Sequence, residues 1–359
     1  MARVNSSRPN SPSPFSLGYW MHAEWAPHKA TWLAWPHEKT DWPAKFAPIP
    51  WLYGDVVRRL SQAERVCILV NDSGAERAAR DVLKPCGANL KAVDFFRVPT
   101  NRGWIRDFGP IFVKNGDGDV AATNWHFNAW AKYKNWQKDD AANDKLAVKL
   151  KWKVWKPDRL GRHVVLEGGS IDVNGAGMML TTEDCLLSSV QARNPGFTRL
   201  DLEQVFREYL GVTRVLWLRH GIAGDDTHGH VDDIARFVNP NTVLAVVEED
   251  KSDVNYHPLQ ENLALLRHMK DQSGRPLRIE TLPMPEPVHF DGQRLPASYA
   301  NFYIANNLVL VPTFNDPHDA IALTKLAALF PDRKVIGVAC LDLVWGLGAL
   351  HCMTQQEPE

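Results

Sequence analysis

What most constrains the fold of this chain is a hairpin that returns four times at nearly constant spacing. Residues 111–113 lead through Lys114-Asn115-Gly116-Asp117-Gly118 into residues 120–122, two short apolar runs across a Gly-rich turn. The same pattern recurs at 171–173 and 178–180, at 236–238 and 243–246, and at 302–304 and 308–311. Taking Phe112, Ile171, Phe237 and Phe302 as equivalent points, the spacings are about 59, 66 and 65 residues, slightly long for a repeat that marks propellers or arrays. Apolar residues at helical spacing fill the intervals at 201–209, 259–269 and 316–329, and a helix, strand, helix series is expected over 54–63, 66–70 and 75–83. The strand-like run around Trp32 reads as a more divergent copy. Five strand, helix and hairpin modules then account for most of the chain, which makes it α/β.

The repeat also aligns charge. Asp107 lies five residues before Phe112, Glu167 four before Ile171 and Asp232 five before Phe237. Equivalent places in pseudo-symmetric modules fall around one axis, and carboxylates gathered there repel one another unless a cation lies between them. Each alone is more simply a loop cap or a partner for Arg106 or Arg236; three in register argue for a cationic ligand. Near this register stands Gly224-Asp225-Asp226-Thr227-His228-Gly229-His230-Val231-Asp232-Asp233. If that segment is extended, His230 and Asp232 project to one face, and His228 shares it. An imidazole beside a carboxylate, with a thiol elsewhere, is the material of Cys/His nucleophilic catalysis.

Five cysteines, Cys67, Cys86, Cys185, Cys340 and Cys352, are odd in number and scattered, as expected of reduced thiols in a cytoplasmic protein. Cys67 and Cys340 sit in apolar runs where an inert thiol belongs, whereas Cys352 has polar, Gly-marked surroundings. Lys plus Arg number 41 against 42 Asp plus Glu, so no basic footprint for nucleic acid exists. No stretch is apolar enough to span a bilayer, and residues 1–17, rich in Ser, Pro and Asn, read as a flexible tail before one catalytic domain over 18–359.

Four stretches carry a family resemblance. They are Asn101-Arg102-Gly103-Trp104-Ile105-Arg106-Asp107-Phe108-Gly109-Pro110, Leu166-Glu167-Gly168-Gly169-Ser170, Gly229-His230-Val231-Asp232 and Leu350-His351-Cys352-Met353-Thr354-Gln355-Gln356-Glu357-Pro358. In that order, with the opening Met21-His22-Ala23-Glu24-Trp25-Ala26-Pro27-His28, the chain resembles the agmatine deiminase and bacterial peptidyl-arginine deiminase family of the guanidine-modifying superfamily. The resemblance implies a five-bladed α/β propeller, the pentein fold, and hydrolysis of a guanidinium to a ureido group and ammonia without metal or cofactor. It further implies Cys352 as nucleophile, His230 as proton donor and then base, Glu167 as the group orienting that imidazole, and Asp107 and Asp232 as the carboxylates gripping the guanidinium. Trp104 is expected to wall the site, and Asp226 and His228 to meet the rest of the substrate. Agmatine, converted to N-carbamoylputrescine, is the first choice; peptidyl or free arginine is the alternative. Homodimers are common in such proteins and one is expected here.

Two other classes compete. His220, His228, His230, Asp226 and Asp232 resemble a metal-ligand cluster, since an H-x-H pair is common in metal-dependent hydrolases. A non-catalytic propeller binding a cation is the other, because a fold does not dictate an activity. The loop Gly346-Leu347-Gly348-Ala349 departs from the continuous glycine run typical of agmatine deiminases, which reduces backbone freedom at Leu347 and Ala349. His351 neighbours Cys352, but adjacent residues on an extended segment face oppositely, so packing or a backbone hydrogen bond is its expected role. A capping role is the default for Asp225.

Overall fold

The computed structural model describes residues 12–359. Its strands form five principal sheets built to one plan, an antiparallel pair followed by a parallel strand. In three of them the pair is a hairpin: Asp172–Val173 with Met178–Thr182, Ala235–Asn239 with Thr242–Val247, and Tyr303–Ala305 with Leu308–Thr313. The parallel partners are Arg214–Leu218, Arg278–Pro283 and Lys334–Ala339. A parallel neighbour cannot be reached by a tight turn, so each module inserts a crossover helix. These are Arg199–Leu210, Tyr256–His268 and His318–Leu329. The first of them shows how the sequence sets such a helix. Thr198 and Asp201 form a reciprocal capping box at its start, and Gly211, at φ +70°, closes its end in the left-handed conformation.

The other two sheets have four strands. Ile111–Asn115 and Val120–Thr123 form a hairpin flanked by Tyr19–Trp20 and Val154–Trp155. In the last sheet His28–Ala34 pairs antiparallel with Gln355–Pro358, and Arg65–Val70 and Val93–Arg97 add in parallel. The divergence of the copy around Trp32 has this cause. Its antiparallel partner comes from the far end of the chain, so no hairpin exists there to read.

Asp107, Glu167 and Asp232 occupy equivalent places as expected. They lie in or beside the short helical turns Ile105–Phe108, Gly168–Ser170 and Val231–Asp233, each just ahead of its module's first strand. Of the tail expected over residues 1–17, residues 1–11 lie outside the described residues. Phe15–Leu17 form a turn of 3-10 helix closed by Gly18 at φ +77°. Among the described residues no helix is long and apolar enough to cross a membrane.

Candidate functional site

Cys352 follows the loop after the turn Val344–Gly346, and its sulfur is buried but reaches a cavity of about 410 Å³. Trp104, Asp107, Trp130, Tyr133, Asp226, Leu347 and Cys352 are among the residues lining that cavity. The Asn301 side-chain amide donates to the Cys352 sulfur at 3.1 Å, and Asp232 Oδ2 lies 3.8 Å from it. Leu347 holds φ +65°, so the loop keeps the left-handed backbone that glycine favours although a side chain is present.

Two glycines explain how three modules come so close. A Cβ on Gly168 would lie 2.3 Å from the carbonyl oxygen of Arg106. One on Gly169 would lie 2.6 Å from His230 Nδ1, 2.8 Å from Asp107 Oδ1 and 3.0 Å from Asp232 Oδ2. Only glycine lets those three groups pack so closely against the backbone. Laid end to end with the 3.8 Å from Asp232 Oδ2 to the sulfur, these distances hold the imidazole and the thiol of Cys352 within about ten ångströms. His230 and Asp232 converge, but not as neighbours on an extended strand: His230 is extended and Val231–Asp233 then turn as a 3-10 helix. The Asp225 carboxylate caps the approach, accepting from the backbone N–H of Thr227 at 2.7 Å, Gly229 at 2.7 Å and His230 at 3.1 Å.

The carboxylates differ in how their charge is answered. Burial works against the Glu167 charge, yet Arg193, donating through Nε at 3.0 Å, and His230 together outweigh it and lower the pKa to about 2. Asp232 Oδ2 lies 2.7 Å from His351 Nδ1; against burial, that histidine keeps the carboxyl below its ordinary pKa, and Oδ1 has no hydrogen-bond partner. The neighbouring Asp233 is pushed well upward, by burial and then by the Asp232 charge. Asp107 accepts from Gly169 N–H at 3.1 Å and Trp130 Nε1 at 2.9 Å. Burial, helped by the charges of Asp232 and Glu167 and opposed by His230, raises its pKa to about 6. Charge register alone therefore overstated the repulsion. Arg193 already balances Glu167, and the unanswered demand for a cation rests on Asp107 and the free oxygen of Asp232.

His230 is 1% exposed and neither ring nitrogen has a hydrogen-bond partner among the described residues. Nδ1 lies 3.8 Å from Asp107 Oδ1 and Nε2 3.7 Å from Glu167 Oε2, charge contacts longer than hydrogen bonds. Burial disfavours the imidazolium, but Asp107, Cys185 and Glu167 together raise its pKa well above the ordinary value. The Cys352 thiol is pushed the same way, by burial and then by Asp232, Asp233 and Asp107.

Other expectations need correction. Glu167, His230 and Asp232 lie behind the cavity lining and not in it, and His228 neither lines the cavity nor joins them: φ of +64° there and +103° at Gly229 break the alternation that would align it with His230, and its Nε2 lies 3.2 Å from Ser188 Oγ. His351 is no mere packing residue, because its two nitrogens bridge Asp232 at 2.7 Å and Glu24 at 2.8 Å. Arg106 and Arg236, the alternative partners weighed for the carboxylates in register, form ion pairs with Glu24 instead, where His351 joins them. His220 contacts Asp184 and Glu261 at 3.2 and 3.3 Å, so the H-x-H metal cluster does not assemble. Trp104 and Asp226 line the cavity as expected. Asp226 is bonded by Lys132 and, at 2.7 Å, by the Tyr133 hydroxyl.

Sequence reading missed Asn301, Arg193, Trp130 and Asp233. Asn301 alone carried a signal, a polar residue inside Tyr299-Ala300-Asn301-Phe302-Tyr303 just before a strand.

A thiol, an imidazole and two carboxylates are thus packed together at the edge of one cavity, an arrangement of the cysteine-hydrolase kind. Residues 20–358 match the model of the Porphyromonas-type peptidyl-arginine deiminase family, and the chain belongs to that family. It is 35% identical to an agmatine deiminase of Ectopseudomonas mendocina, with 96% of this chain and 97% of that protein covered. It is 36% identical to one of Stutzerimonas stutzeri, with 96% and 97% covered. An agmatine deiminase structure from Enterococcus faecalis superposes with a TM-score of 0.90 at 33% identity, covering 98% of this chain and 99% of that one. The fold is therefore the mixed α/β fold of that family.

Proposed function

We propose that this protein hydrolyses a guanidinium to a ureido group and ammonia through a covalent amidino-thioether on Cys352, with agmatine as substrate. The observation that carries the reading is the cavity lined by both Asp107 and Cys352, with Asp232 Oδ2 3.8 Å from the Cys352 sulfur and His230 Nδ1 3.8 Å from Asp107 Oδ1. Paired charge-assisted hydrogen bonds from the two carboxylates to guanidinium nitrogens would fix the planar group and localise its charge. The resting sulfur is a thiol among carboxylates; the bound cation offsets their field and favours the thiolate, which attacks the central carbon. His230, held as imidazolium by its acidic neighbours, donates to the departing ammonia. It then takes a proton from the water that releases the ureido product. Asn301, at 3.1 Å from the sulfur, donates to the thiolate as charge develops.

Agmatine is favoured over arginine by the charge of the outer cavity. Asp41 and Asp226 line it, and Arg102, its cationic lining residue, is already paired with Asp41. A substrate carboxylate finds no free cation among the lining residues, while an ammonium would share Asp226 with Lys132 and the Tyr133 hydroxyl. Trp104, Trp345 and Leu347 offer apolar walls to a methylene chain. The five sheets and the convergence of their leading turns on one site support a five-bladed arrangement, and the scattered free cysteines fit a cytoplasmic setting.

The test is a panel of agmatine, arginine, peptidyl-arginine and methylated guanidines assayed for ureido product, with Cys352→Ala beside the wild type. Agmatine is expected to turn over fastest, and the variant to lose ammonia release with its circular dichroism unchanged. A wild type inert to every guanidine, or an active Cys352→Ala, overturns the reading.

A further inference from the structure

Behind the acidic wall of the cavity lies a second thiol with no part in the proposed chemistry. Cys185 sits in the short helix Glu183–Leu186, fully buried, its backbone N–H donating to Thr182 Oγ1 at 3.1 Å. Cys185, His230 and Glu167 each offer one donor atom, and the three atoms lie within 4.8 Å of one another. Two of these side chains also present unpartnered buried atoms, Glu167 Oε2 and His230 Nε2, 3.7 Å apart. Buried polar atoms without partners are costly, and a shared ligand would satisfy both at once.

We infer that Cys185, His230 and Glu167 form a binding site for zinc or a similar divalent transition metal, which acts as a reversible inhibitor and not as a cofactor. Tetrahedral zinc holds thiolate, imidazole and carboxylate donors at ~2.0–2.3 Å, which places them roughly 3.5 Å apart, so the trio needs only a small contraction. Mixed S, N and O donors favour zinc and cobalt over magnesium or calcium. The thiolate and Glu167 supply two negative charges, while Arg193 remains on the other oxygen of Glu167, Oε1. Asp107, which lines the cavity and stands 3.8 Å from His230 Nδ1, draws a cation toward the site. Coordination displaces the proton of the His230 ring nitrogen as well as that of the thiol, so affinity rises with pH. A bound ion removes the imidazole from both proton transfers; this loss of turnover rests on the deiminase reading above, whereas the binding does not.

Cobalt(II) added to the full chain carrying Cys86→Ser and Cys352→Ser tests the site apart from the nucleophile. One ion per chain with a thiolate-to-cobalt absorption band is expected, displaced by zinc and lost when Cys185→Ser is added. Should that added substitution impair folding, zinc X-ray absorption on the double variant decides: one sulfur at ~2.3 Å with nitrogen and oxygen neighbours supports the site. No band, a band that survives Cys185→Ser in folded protein, or a zinc shell without sulfur overturns it. In the wild type, zinc is expected to suppress ammonia release and a chelator to restore it. Cobalt binding at Cys185 without such suppression would overturn the assignment of His230 as the proton-transfer group while leaving the site standing.

Discussion

In the proposed reaction Asp107 is the side chain on which substrate binding would turn, because its charge is balanced by no arginine or lysine and burial raises its pKa to about 6. Below that value the carboxyl is neutral and cannot grip a cation; above it the grip forms. We predict that kcat/KM for agmatine rises as pH passes upward through about 6, and that the limb is absent in Asp107→Asn. The same substitution is expected to weaken transition-state binding by about 2–5 kcal/mol, the usual cost of removing one partner of a buried charged pair. A pH profile of the variant retaining the limb contradicts the assignment. Without substrate the sign reverses. A raised carboxyl pKa means the folded state binds the extra proton, so this group favours folding least once pH exceeds about 6. That Asp107, Glu167, Asp232, His230 and Cys352 gather in one place was legible in the sequence because register and motif mark them. Their differing electrostatic states were not, since Arg193 and His351, which set the states of Glu167 and Asp232, enter from segments with no sequence relation to the repeat.

At the scale of elements, the hairpins and crossover helices were readable because alternating and 3.6-residue patterns are local. Asp172–Val173 with Met178–Thr182 matched a Gly-rich turn, and the helix expected at 201–209 spans Arg199–Leu210. The loop that carries Trp130 was not readable. Ala129, Trp130 and Ala131 hold φ of +51°, +58° and +54°, three successive left-handed residues without a glycine. Such backbone costs about 1–2 kcal/mol per residue and survives only where its surroundings dictate it. Here the Trp130 indole donates to Asp107 at 2.9 Å and lines the cavity, so the strain holds a positioning residue in place. Ala131 is exposed, and Ala131→Gly should raise unfolding free energy by about 1 kcal/mol in denaturant titration while keeping KM. Trp130→Phe removes the indole donor and should raise KM for agmatine more than it lowers kcat. An unchanged KM would deny Trp130 that role.

The whole molecule is tied together at Glu24. Its carboxylate meets Arg106 at 3.3 Å, Arg236 at 3.0 Å, His351 at 2.8 Å and the backbone N–H of Ile304 at 2.8 Å, joining segments from four parts of the chain. Burial opposes this charge, but Arg236, His351 and Arg106 hold its pKa well below the ordinary 4.5. A carboxyl lowered on folding adds stability above its unfolded value and loses it as pH falls through the folded one, so its contribution should persist to pH about 4.5 and fade below. Glu24→Gln leaves buried Arg106 without a carboxylate, while Arg236 keeps Asp172 and His351 keeps Asp232, and should cost about 3 kcal/mol in chemical unfolding. This hub was invisible in sequence because its members are spread from residue 24 to residue 351, and only closure of the chain's end against His28–Ala34 assembles them. The same closure sets Cys352 beside Asp232. A crystal structure of Cys352→Ser with agmatine shows whether a flat cation is seated there. The guanidinium is expected to pair with Asp107 and Asp232, its central carbon facing residue 352. A guanidinium turned out toward Asp226, or bound without either carboxylate, contradicts that seating.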